Sequence, residues 1–237
     1  MTREEVLKIV SDAREKWMRA NLTEANLTRA NLTRADLAEA DLTGDDLTRA
    51  DLRWANMARA NLTEANLTEA NMAEANLRCA NLTRANLTEA DLTRADLTEA
   101  DLTRADLTEA NLSEANMRWA NLSRANLFRA DMYQANLAEA NLTEADLTGA
   151  NLRWTCLYGT TLPHRYIQIG PIGSRKDQIV YNADTDEIQA GCFRGTLDEF
   201  EAAVREKHKT NIHAREYLAT VRYLQEMREI QKTAGES

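Results

Sequence analysis

The sequence predicts a mainly β repeat solenoid with a helix in front of it and a small α/β segment behind. Three observations carry this reading: a five-residue apolar period held without a slip over about 140 residues, an apolar content made almost wholly of Ala and Leu with only 5% aromatics, and loss of the period after Pro163. From Ala20 the chain reads ANLTE ANLTR ANLTR ADLAE ADLTG, keeps that register to about Trp154, and then loosens into TCLYG and TTLPH. A period of five fits neither the 3.6-residue helix nor the alternating strand, so each pentapeptide is expected to form one side of a coil. A lone coil cannot bury its leucines; only stacked neighbours make a continuous core. The Asn or Asp after each Ala is short and polar, which suits turn hydrogen bonding and argues against a catalytic row.

The A-(N/D)-L-x-x pattern resembles the pentapeptide-repeat family over residues 20–162. The resemblance implies a right-handed quadrilateral β-helix of about seven coils. In such a helix the central Leu and the Ala two before it point inward, four pentapeptides complete a square turn, and coils stack through β-type backbone bonds. At about 4.8 Å per layer the stack is roughly 34 Å long.

The flanking elements follow in order. Residues 1–19 place Val6, Leu7, Val10, Ala13 and Trp17 at helical spacing, an amphipathic helix expected to cap the first coil rather than to meet a membrane. Residues 163–237 form a separate α/β module of three strands, RYIQIG, QIVYN and EIQAGCFRG, and two helices. Thr196-Leu-Asp-Glu199 is a capping box ahead of Leu197, Phe200 and Val204. The second helix, about Asn211 to Lys232, carries a stripe of Leu218, Val221, Leu224, Met227 and Ile230. The stretches YIQIGPIGSRKD and GCFRGTLDEFEAAV are similar to a small uncharacterised module of phage-type proteins, which implies no activity.

Net charge is −9, and the repeats hold about 22 acidic against 13 basic residues. Such a surface repels phosphates, so direct nucleic-acid binding by the repeats is disfavoured and a protein partner is favoured. Cys79, Cys156 and Cys192 have no CxxC spacing and, with His164, His208 and His213, no zinc pattern. Neither a signal segment nor a membrane-length apolar run is seen, and the expectation is a cytoplasmic protein with no cofactor and no metal. Carboxylates recur by period instead of converging, so an enzyme is not expected.

Several residues stand out as candidate sites. Asp45 takes a position that is Ala in the other complete repeats before Trp154, and Gly44 before it suggests a local bend that lets the carboxylate out. A twenty-residue stack puts Arg84, Arg104 and Arg124 in one column and Glu69, Glu89 and Glu109 in the next, a solvated pattern or a docking strip that pairs within the chain or laterally. Trp119, Phe128, Tyr133, Trp154 and Tyr158 gather late in the repeats, under the C-terminal segment or as a dimer or partner surface. Ser174, Arg175 and Lys176 follow glycines in a loop that reads as a hairpin turn before it reads as an anion cradle. Asp184, Asp186 and Glu187 read as a solvated turn before a cation site.

The leading function is a non-catalytic interaction scaffold that presents a patterned acidic solenoid. The family resemblance implies an alternative, a DNA mimic that acts on a type II topoisomerase such as gyrase. Other readings are a small anionic ligand on the C-terminal module, and a designed or consensus repeat protein without an evolved partner.

Overall fold

A computed structural model of the chain describes residues 1–16, 18–163, 166–172, 177–191 and 193–234. These divide into two compact units, residues 1–151 with 155–163, and residues 152–154 with 164–237.

In the first unit the Asx of a repeat bridges the equivalent residue twenty on, in parallel, from Asn21↔Asp41 to Asn141↔Thr161, with Cys156 and Thr161 taking the Asx place in the last two bridges. Four pentapeptides therefore make one turn. The repeat 101–105 explains why the sequence looks as it does, because each of its five amides has a partner. Asp101 N–H donates to Ala80 O of the coil before (2.9 Å), while Leu102 and Arg104 N–H donate to Asn121 O (2.7 Å) and Ser123 O (3.0 Å) of the coil after. Ala105 N–H closes the corner on Leu102 O (3.0 Å). Thr103 N–H is left over, and the Asp101 Oδ1 takes it at 3.0 Å. The Asx ladder is thus turn chemistry, as its side chains suggested: it satisfies the one amide that stacking cannot. Asp101→Ala should cost about 1 kcal/mol in a urea titration, and Asp101→Asn, which keeps the acceptor, should be close to neutral.

The central Leu or Met and the Ala of the repeats line the interior, Leu82 and Leu102 among them at 0% exposure. Asp45 is the exception, and the expected bend is absent there. Gly44 has φ +69°, the same left-handed corner that Glu24 and Glu64 adopt at +59° and +58°, so this glycine does not distort the coil. Asn66 N–H still donates to Asp45 O at 2.9 Å, and the carboxylate points inward, fully buried.

The helix α1 (Arg3–Glu15) buries Val6 and Val10. Beside it the Met1 ammonium donates to Asn26 O (2.8 Å) and Arg3 Nη1 to Asn31 O (3.1 Å). These first-coil carbonyls have no preceding coil, so both bonds satisfy groups that an open β end exposes. Trp17 lies outside the described residues.

The second unit is an antiparallel meander of four strands, β1 (Tyr166–Ile172), β2 (Asp177–Asn182), β3 (Glu187–Ala190) and β4 (Phe193–Thr196). Three strands were expected; the run EIQAGCFRG folds back on itself. Ala190 pairs with Phe193, and Gly191 at φ +58° turns the chain where a strand reading of the run passes over it. Helix α2 (Leu197–His208) starts on the expected capping box: Thr196 N–H donates to Glu199 Oε2 (2.8 Å) and Glu199 N–H to Thr196 Oγ1 (3.2 Å). Helix α3 (Ile212–Ala234) follows. Ile179, Tyr181 and Ile188 from the sheet, Leu197, Phe200 and Val204 from α2, and Tyr217, Val221 and Leu224 from α3 form one core. Most of the α3 stripe is thereby used inside its own unit, and Ile230 remains 58% exposed.

Candidate interaction surface

The outward corners of the solenoid are built by the last residue of each A-(N/D)-L-x-x repeat. Its φ lies near +57°, which throws the side chain off the corner and stacks it above the residue twenty earlier. In the arginine column, Arg84 pairs with Glu64 at 3.1 Å and Arg124 with Glu144 at 2.8 Å. In the neighbouring column Glu69 takes a two-pronged bond from Arg49, both at 2.8 Å, and Glu109 pairs with Arg129 at 3.3 Å. The bond from Arg49, and then its charge, hold the Glu69 carboxyl below the usual carboxylate range. Pairing therefore runs along each column and not across to the next. Arg94 and Glu114 repeat the arrangement on a third corner.

Trp119 (45% exposed) lies under Arg118, whose guanidinium carbon is 4.1 Å from the ring centroid, and Phe128 lies under Arg129 at 4.9 Å. Tyr133 is half-buried, and Tyr158 is 73% exposed. Trp154 falls in the segment 152–154 that clusters with the second unit. Ring pairs among the described residues all lie between Phe193 and Tyr217, so none joins two of these five. By the twenty-residue step the corners of Trp119 and Tyr158 stack two coils apart, while Phe128 and Tyr133 stand on two other corners. An early aromatic is as well dressed: Arg34 and Arg53 both cover Trp54, at 5.2 and 5.5 Å.

Asp45 is the one buried carboxylate of the repeats. Its Oδ1 accepts from Ala25 N–H at 2.8 Å, and its Oδ2 is buried with no hydrogen-bond partner. Burial, opposed by the Ala25 bond and aided by the Asp41 charge, raises its pKa from 3.8 to about 7.

On the second unit, Asp186 is more than a solvated turn. Tyr181 O–H donates to its Oδ1 at 2.9 Å and Arg228 Nη1 to the same oxygen at 3.0 Å. Burial, then the Asp186 contact, pushes the Tyr181 phenol well above its ordinary value. Sequence reasoning missed this cluster because Arg228 is 42 residues from Asp186. Glu187 is bonded by Arg194. Ser174, Arg175 and Lys176 lie outside the described residues, as do His164 and Cys192. Among the described residues no cluster of His, Cys, Asp and Glu could hold a metal ion, and no helix is long and apolar enough to cross a membrane.

Comparison with known proteins agrees on the repeats. The family model described as pentapeptide repeats matches at residues 18–53, 46–84, 55–94, 85–124 and 125–162. A pentapeptide repeat protein of the Arabidopsis thaliana thylakoid lumen is 32% identical over 46% of this chain and 66% of its own, with a TM-score of 0.29. HetL of Nostoc sp. strain PCC 7120, involved in heterocyst differentiation regulation, is 28% identical over 69% of this chain and 98% of its own, at 0.20. Full-length QnrB1, a plasmid-mediated fluoroquinolone resistance protein, is 18% identical over 61% and 82%, at 0.24. A search of curated proteins gives no match. With its repeats matched from residue 18 to 162, the chain belongs to the pentapeptide-repeat family, whose fold is the right-handed β-helix.

Proposed function

We propose that this protein is a non-catalytic scaffold whose solenoid, of about seven coils, presents charged corner columns to a protein partner. The observation that carries the reading is the corner residue itself. A left-handed φ costs a residue other than Gly or Asn about 1–2 kcal/mol. Gly44 and Gly149 adopt it, yet Glu and Arg fill most of the equivalent positions. Stability alone would favour Gly or Asn there, so the charged side chains are kept for what they display. Exposed Cys79 and Cys156, both free thiols, suit a reducing compartment such as the cytoplasm.

Affinity capture tests this with two baits, the full chain and a variant with Gln at Arg84, Arg104, Arg124, Glu69, Glu89 and Glu109. A protein retained by the first and lost from the second is expected. If both baits retain the same set, or neither retains anything, the columns do not dock a foreign protein.

The acidic surplus of the repeats supports a second reading, action on a type II topoisomerase through its DNA channel, although the arginines inside each column dilute the resemblance to DNA. A supercoiling assay at low salt with the protein in excess should show altered activity. An unchanged rate sinks this second reading.

A further inference from the structure

Two corner columns, one pentapeptide apart, carry opposite charge patterns. The central five of one column are Glu64, Arg84, Arg104, Arg124 and Glu144, beyond Glu24 and Gly44; the central five of the next are Arg49, Glu69, Glu89, Glu109 and Arg129, between Arg29 and Gly149. The end residues pair with the outer members of each central triplet, Glu64 and Glu144 in the first column and Arg49 and Arg129 in the second. Only the middle members are left. Among the described residues the Arg104 and Glu89 side chains make no ion pair or hydrogen bond, no ion pair joins one column to the other, and both residues are exposed.

We propose that a second copy of this chain docks along these columns, the arginine-centred column of one against the glutamate-centred column of the other, with Arg104 on Glu89 at the middle. The proposal rests on the reading of the columns as docking surfaces and names their partner. Set side by side, the columns match in five opposite-sign pairs: Glu64 with Arg49, Arg84 with Glu69, Arg104 with Glu89, Arg124 with Glu109, and Glu144 with Arg129. Spacing matches as well, because each column places one side chain per coil, about 4.8 Å apart. Each pattern is symmetric about its centre. The same number of matches therefore forms with the copies parallel and one coil out of step, or antiparallel, and Arg104 meets Glu89 either way.

The end charges also choose the partner. A uniformly acidic strip would be drawn to the arginine triplet but repelled by Glu64 and Glu144, whereas the second column offers Arg49 and Arg129 at those places. A groove of about 520 Å³ follows the arginine column, with Thr83, Thr103 and Ser123 beside the three arginines in its lining. Because the mated columns differ, the contact is heterologous, and each copy keeps its other column to offer to a further copy. Association should be open-ended and, being built of exposed pairs, weak and salt-sensitive.

Analytical ultracentrifugation of the full chain decides it, with Arg104→Glu, Glu89→Arg and the double variant checked for unaltered circular dichroism. The wild type should rise above monomer mass with concentration at low ionic strength and return to monomer at about 1 M salt, where the Debye length is about 3 Å. Either single variant should associate at least roughly tenfold more weakly, the loss of about one close charge pair. An equimolar mixture of the two should regain wild-type association, because the intact column of each meets the intact column of the other. The double variant, complementary to itself, should regain it too. A wild type that stays monomeric at low salt overturns the proposal, as do single variants that associate like wild type or a mixture that fails to recover. A monomeric wild type that still captures a foreign protein sinks this proposal alone and leaves the scaffold reading standing.

Discussion

Leu102→Lys is expected to abolish the single cooperative melt of the solenoid. Leu102 is fully buried, and Leu82 and Leu122, twenty residues before and after it, are too, so a charge placed there has neither water nor a counter-ion. An uncompensated buried charge costs at least about 3–5 kcal/mol, which is comparable to the whole stability of many domains, about 5–15 kcal/mol. The damage is also badly placed. A solenoid coil contacts only its neighbours, so one failed coil divides the stack into two shorter ones that each lack a partner face. Circular dichroism should show the transition lost or split in two, while Thr103→Lys, one residue away on the outside, should melt like wild type. A Leu102→Lys chain with an unaltered melt would mean the apolar face has been assigned wrongly.

Asp45→Ala is expected to act in the opposite direction and to stabilise the protein most above neutral pH. Ala is what the rest of the ladder uses at this position, and the change removes a carboxylate whose Oδ2 has no partner. The sign follows from the raised pKa, about 7 in the fold against an ordinary 3.8. Below about pH 4 the group is protonated folded or unfolded and costs nothing extra. As pH rises toward 7 the unfolded chain ionises first, so stability falls; above 7 the loss is complete. At about 1.4 kcal/mol per pH unit the full loss is at most about 4 kcal/mol, and with partial screening on the order of 2–4 kcal/mol. Asp45→Ala should therefore raise the melting temperature at pH 8 by roughly 4–16 °C and at pH 4 by much less. Equal gains at both values would show that Asp45 is ionised throughout and reaches water.

The repeats were legible because each of their residues has one local task. The five-residue period set the coil, the Asx side chain announced its bond to the Thr amide, and Thr196 with Glu199 announced α2. What escaped was settled by tertiary neighbours. Gly44 looked like a bend in isolation, but every corner of this fold already has the left-handed φ that glycine brings. The glycine in EIQAGCFRG was passed over as strand interior, although it opens a hairpin turn.

The surface was less legible than the core. Trp119, Phe128, Tyr133, Trp154 and Tyr158 are close in sequence, whereas proximity along the solenoid follows a step of twenty, and arginines lie over Trp119 and Phe128. The charge columns follow from the twenty-residue step, yet the direction of pairing within them could not be read. Whether Glu64 bonds Arg84 above it or a residue around the corner depends on side-chain reach from a left-handed corner, which the letters do not carry. Tyr181, Asp186 and Arg228 meet only because α3 returns over the sheet.

The central claim is that inward residues hold the fold while the outer columns are left for recognition. Thermal melting of the variant with Gln at Arg84, Arg104, Arg124, Glu69, Glu89 and Glu109 tests it most directly. Four ion pairs are removed, each contributing under about 1 kcal/mol in water. The account predicts a single cooperative melt, lowered by no more than those pairs allow. A variant that no longer folds would show the columns to be part of the structure itself, and the scaffold reading would fall with them.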